Sequence, residues 1–161
     1  MKIFLSPHPT MLHLRAFTPA YNDATRPPGL TDDEFLERAI QRNIEVGVIA
    51  SDAPVYIVEQ STLPTEFAEA WEWDGSAVSV NMTKARVIHL DEIRAVRNAE
   101  LVAKDITFMR AIEAGDTDAQ ATIGTEKQVL RDIPATFDIT TGVDTPAQLS
   151  AKWPDQLPAR E

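Results

Sequence analysis

Residues 108–134 read FMRAIEAGDTDAQATIGTEKQVLRDIP. Phe108, Met109 and Ile112 lead into Ala114-Gly115-Asp116, and Ile123, Val129 and Leu130 follow at helical spacing, so the stretch predicts two helices joined by a tight turn. Gly115 can take the left-handed conformation that closes a helix, and Thr117 with Gln120 three residues on predicts a capping box for the next one. Pro134 is expected to end that second helix, because proline disfavours helical geometry at the preceding Ile133. A helical hairpin is the reference from which the rest of the chain is placed.

Upstream, the helical pattern reaches back to Asn81. Val87, Leu90, Arg94, Arg97, Leu101, Lys104, Phe108 and Ile112 step by three or four, but two arginines and a lysine interrupt the stripe, and Ile93, Val96 and Met109 widen it unevenly. Before Asn81 the signals are short and mixed. A strand is expected near residues 11–17, MLHLRAF, followed by a loop rich in Pro, Asn, Asp and Gly. Thr31 then opens a helix, with Glu34 as its capping-box partner and Phe35, Leu36, Ala39 and Ile40 as the buried stripe. A strand is expected at about 54–59 in PVYIVE. Another pair, AWEW and AVSV, is expected to fold back around Asp74-Gly75. After Pro134 periodicity fades. Thr145, Pro146 and Gln148 start one short helix in an otherwise extended tail. The expected class is α+β: a small mixed unit at 1–81, a helical hairpin at 82–133 and an extended C-terminal segment at 134–161.

The chain has 161 residues, a formal net charge of -10 and a pI near 4.7. Nucleic acid and anionic membranes both attract cationic surfaces, so neither is an expected partner. Residues 1–81 carry five Lys/Arg against twelve Asp/Glu, whereas residues 82–133 carry eight against nine, which places the acidity in the first half. Cysteine is absent, which removes disulfides, thiolate metal sites and a cysteine nucleophile together. Pro7 and Pro9 stand where a signal peptide would carry its apolar run, and no stretch approaches the roughly 20 apolar residues of a membrane span, so neither secretion by that route nor membrane insertion is expected.

No catalytic, cofactor-binding or metal-binding residue is expected. His8, His13 and His89 lack the spacing of a joint metal site. Asp116 and Asp118 begin like a calcium loop, but Ala121 and Lys127 occupy the sixth and twelfth positions, where an EF-hand needs Gly and Glu. The acids of TDDEFLE point to different helix faces and suit a solvated N-terminus. A phosphate loop, a G-x-S-x-G elbow and an H-E-x-x-H motif are all missing. The candidate residues are instead ones that make contacts. Trp71 and Trp73, two apart in a strand, share one face as a core cluster or an aromatic platform. Arg94 and Arg97, with Arg86 and Arg110, can pair within the chain or across an interface, and Trp153 near a polar C-terminus is expected to dock on its own body or on a partner.

In order along about residues 54–158, the Trp-Glu-x-Asp-Gly turn at 71–75, KAR at 84–86, MRAIEAGDT, KQVLRDIP and the closing Trp153-Pro154 resemble a group of small tailed-bacteriophage proteins encoded among the tail and tail-fibre genes. The closing WP…P is also similar to tail-fibre assembly chaperones. The resemblance implies a non-enzymatic virion component of the tail, baseplate or fibre attachment region. It would be oligomeric in an assembly, partnered by other tail or fibre proteins, and present in the host cytoplasm during assembly. The alternative it implies is a fibre chaperone absent from the mature particle.

Overall fold

A computed structural model describes residues 1–11, 13–22, 24 and 26–160. About 50% of the chain is helical and 13% is strand, in small sheets and a separate long helical region, which makes the class α+β. The chain divides into two compact units, Met1–Asn81 and Met82–Glu161.

In the first unit, β1 (Lys2–Pro7) lies between β2 (Leu14–Phe17) and β3 (Tyr56–Glu59) in an antiparallel sheet. No element is expected at 2–7 from the sequence, yet these residues form the central strand. Ile3, Phe4, Leu5 and Ser6 are all buried, so both faces of β1 are covered and its residues form a continuous run without the alternation of a half-exposed strand. Residues 54 and 55 of the strand expected at 54–59 precede β3. Of the strand expected at 11–17, Leu12 lies outside the described residues.

One face of the sheet packs on α1 (Asp32–Glu45), where Phe4, Leu36, Ile40 and Ile49 form the core and Phe17 stacks on Phe4 at 4.9 Å. Thr31 and Glu34 close the expected capping box, and Leu36 and Ile40 are the buried part of the expected stripe. On the opposite face, Leu5 pairs with Tyr56, and Trp73 stacks on Tyr56 with ring centroids 4.3 Å apart. Trp73 belongs to the hairpin of β4 (Trp71–Trp73) and β5 (Val78–Val80). Gly75 at φ +106 and the Asp74 side chain form its turn.

The second unit is built on α2 (Met82–Glu113) and α3 (Thr117–Thr136), packed side by side. The turn between them holds the N–H of Gly115 on the Ile112 carbonyl at 3.0 Å and that of Asp116 on the Ala111 carbonyl at 2.9 Å, with Gly115 at φ +67. This is a Schellman closure. The cap of α3 is Asp116, which accepts from the Ala119 N–H, rather than the expected Thr117; the Gln120 amide instead reaches back to the Ala111 carbonyl. α3 also runs two residues past Pro134. Leu130 and Ile133 are buried against Ile93 and Leu157, and this packing holds Ile133 helical despite the proline after it. The buried residues of α2 are Ala85, His89, Ile93 and Ala111, not the expected stripe, whose Val87 and Ile112 are exposed.

The segment from 134 onward belongs to this same unit, although it was expected as a separate tail. Ile139, Val143, Leu149, Pro154 and Leu157 are buried, and α4 (Pro146–Ala151) begins on the expected Thr145–Gln148 capping box. Among the described residues no helix is long and apolar enough to cross a membrane.

Candidate interaction surfaces

The residues expected to make contacts fall on two surfaces, one in each unit. In the first unit, Asp74 accepts from the Ser76 and Ala77 N–H groups at 2.8 Å each and from the Ser76 hydroxyl at 3.0 Å. These bonds, the one from Ala77 foremost, hold its carboxyl below the ordinary value of 3.8. The turn therefore keeps an ionised cap and fixes the strands on either side. Trp71 and Trp73 consequently sit on one face of β4, each half-buried, with Trp71 donating its indole N–H to the Glu66 carbonyl at 3.4 Å. Each ring is packed along part of its surface and wet along the rest. Tyr56, expected from the sequence only as a strand residue, completes the aromatic group by stacking on Trp73.

In the second unit Trp153 docks on its own body. Its indole N–H donates to the Pro158 carbonyl at 2.8 Å, its ring meets His89 edge-on at 5.9 Å, and the Arg160 guanidinium lies over it at 5.3 Å. Arg160 is held in turn by Glu92 at 2.8 Å and by the Ser150 carbonyl at 3.1 Å. His89 is fully buried, with Nε2 2.6 Å from the Lys152 carbonyl. A carbonyl can only accept, so that nitrogen carries the proton. These contacts tie the last turn of chain to α2. They also border a recess of about 410 Å³ lined by Glu92, Val96, Trp153, Pro158, Ala159 and Arg160.

Three of the four candidate arginines are engaged within the unit, and Arg110 is exposed. Arg94 pairs with Asp91 one turn back at 2.6 Å, Arg97 donates to the Arg131 carbonyl on α3 at 3.5 Å, and Arg86 donates to the Val143 carbonyl at 3.0 Å. The structure thus brings Trp153 together with His89, Glu92 and Arg160, which sequence reading did not select as a group. Arg160 and Glu92 are 68 positions apart, and no spacing rule links them. Among the described residues no group of three or more His, Asp or Glu could hold a metal ion. No family model, no curated protein and no solved structure matches this chain.

Proposed function

We propose that this protein is a non-enzymatic component of a tailed bacteriophage, acting by protein–protein contacts at the tail, baseplate or fibre attachment region. The observation that carries the reading is the ordered set of motifs along about residues 54–158 that resembles small tail-region proteins. The places these motifs occupy support it. The 71–75 turn shapes the aromatic hairpin, KAR opens α2, MRAIEAGDT spans the helix closure, KQVLRDIP carries the buried Leu130 and Ile133, and Trp153-Pro154 ties down the C-terminus. They are segments that turn, close, pack or anchor the elements carrying the candidate surfaces.

A second reading, a fibre assembly chaperone that leaves before the particle is complete, is favoured by the closing Trp153-Pro154…Pro158 motif and by partly exposed Trp71 and Trp73 on an acidic unit. Quantitative mass spectrometry of gradient-purified particles separates the two. A fixed copy number relative to the portal and fibre is expected for the virion component. Absence from particles with abundance in the infected lysate assigns the chaperone. Particles that keep full fibres and infectivity after deletion of the gene would refute both.

A further inference from the structure

A second apolar face on α2 points away from the hairpin. Ala95, Ala99, Val102, Ile106 and Met109 are all exposed, the last three at 61%, 53% and 55% of full accessibility. They follow one another in steps of four, three, four and three, the a/d repeat of a coiled coil, with Ala99 and Ile106 at a and Ala95, Val102 and Met109 at d. At 3.6 residues per turn the five fall within roughly 80° of the helix circumference, and the buried Ile93 and Ala111 lie about 180° from Val102. One side of α2 meets α3, and the other presents a seam to solvent.

We propose that this seam is covered by a second copy of the chain, with the two α2 helices packed parallel and in register as a two-stranded coiled coil. The charges beside the seam select both the occupant and its direction. Asp105 stands at g and Arg110 at e, five residues later, which is the offset at which g of one helix meets e of its twin in a parallel pair. The two-fold axis makes that ion pair twice. Asp105 remains 58% exposed with its Lys127 bond in place, and Arg110 is exposed. Antiparallel packing sets each flank against its own kind, so Arg110 meets His89, Val96, Ala103 or itself and no acid at all. Ile106 supplies the β-branched a residue of a parallel pair, and the alanines at positions 95 and 99 let the helices approach closely. This pairing stands on the surface of α2 alone, whichever assembly the chain joins.

The test uses the full chain in sedimentation equilibrium from the micromolar to the millimolar range, where a monomer–dimer equilibrium is expected. Because the chain has no cysteine, single-cysteine variants report direction without interference. Met109→Cys is expected to form a disulfide with itself on mild oxidation, since d residues of a parallel pair face each other. In a mixture of Met109→Cys and a size-tagged Ala95→Cys, a predominance of the mixed product would instead reveal antiparallel packing and overturn the proposal. Ile106→Asp is expected to weaken dimerisation by more than about tenfold while leaving helical circular dichroism unchanged, because the residue is exposed in the single chain. Arg110→Glu is expected to weaken it about threefold, with the loss shrinking in high salt. A chain that stays monomeric at the highest concentration, forms a trimer, or dimerises equally well with Ile106→Asp overturns the proposal.

Discussion

Gly115→Val isolates the cost of the helix closure, because only the backbone conformation is at stake. Gly115 sits at φ +67, and a Cβ built there meets nothing within 4 Å. Steric exclusion contributes nothing; the cost is that of holding an L-residue in the left-handed region, about 1–2 kcal/mol for an unbranched side chain and more for a β-branched one. Replacing glycine also stiffens the unfolded chain, which returns about 0.5 kcal/mol. The net expectation is about 1 kcal/mol lost for Gly115→Ala and about 2 kcal/mol for Gly115→Val. For a unit the size of Met82–Glu161, each kcal/mol corresponds to about 4–8 °C in Tm. Gly124 supplies the opposite sign. It lies inside α3, its φ is not left-handed, and a Cβ there also meets nothing within 4 Å, so Gly124→Ala should stabilise by about 0.5–1 kcal/mol. Thermal and urea unfolding followed by circular dichroism reads all three variants. A Gly115→Val protein that melts with the parent, or two alanine variants that shift in the same direction, would refute this account of the turn.

Trp153→Ala should cost about 2–3 kcal/mol of stability, less than a fully buried tryptophan because the ring is half-buried, while Trp153→Phe should lose about 1 kcal/mol with the Pro158 hydrogen bond; urea midpoints that move by less than half of this would show that the ring does not anchor the C-terminus. Thr31→Ala removes the acceptor for the Glu34 N–H and should cost about 1 kcal/mol, measured in the same way, with an unchanged midpoint counting against the capping box. His8 Nδ1 accepts from the N–H groups of Thr10 and Met11, and partial withdrawal from water, then the Arg15 and His13 charges, lower its pKa below the ordinary 6.5. The folded state therefore binds fewer protons than the unfolded one near this pH, so the stabilisation is present above 6.5 and is lost as pH falls through the folded value. An NMR titration should give a His8 midpoint under 6.5 with faster Thr10 and Met11 amide exchange below it, and a midpoint at or above 6.5 would contradict the accepting role of Nδ1.

Local chemistry was the legible part of this fold. Thr31 with Glu34, Thr145 with Pro146 and Gln148, the Asp74-Gly75 turn and Gly115 each act over three or four residues, and each is found where the residues predict it. Tertiary packing decided the elements that were not legible. β1 is central and covered on both faces, so KIFLSP shows no period of two. Ile133 stays helical before Pro134 because the core around Ile93 and Leu157 holds it. Asp116 is the cap in place of Thr117 because its own N–H already closes α2, which puts its side chain at the start of α3. The candidate surfaces divide in the same way. Trp71 and Trp73 sharing a face follows from their spacing, whereas the docking of Trp153 depends on Glu92, His89 and Arg160, which only folding brings together.

The uneven stripe along residues 87–112 has a physical explanation in the structure. Two apolar sets share one helix. Ala85, His89, Ile93 and Ala111 are buried in the unit, and two of these are small and one is an imidazole, so a search for large hydrophobic residues passes over them. Ala95, Ala99, Val102, Ile106 and Met109 lie on the other side and add apolar residues at phases where a single amphipathic helix would carry charge. Summed around the helix, the two sets nearly cancel as a pattern. A helix that is apolar on both sides is normally buried on both, yet one side of α2 meets only solvent in the single chain. The same sequence feature that blurred the reading of the hairpin therefore supplies a physical reason for this chain to pair with its copy.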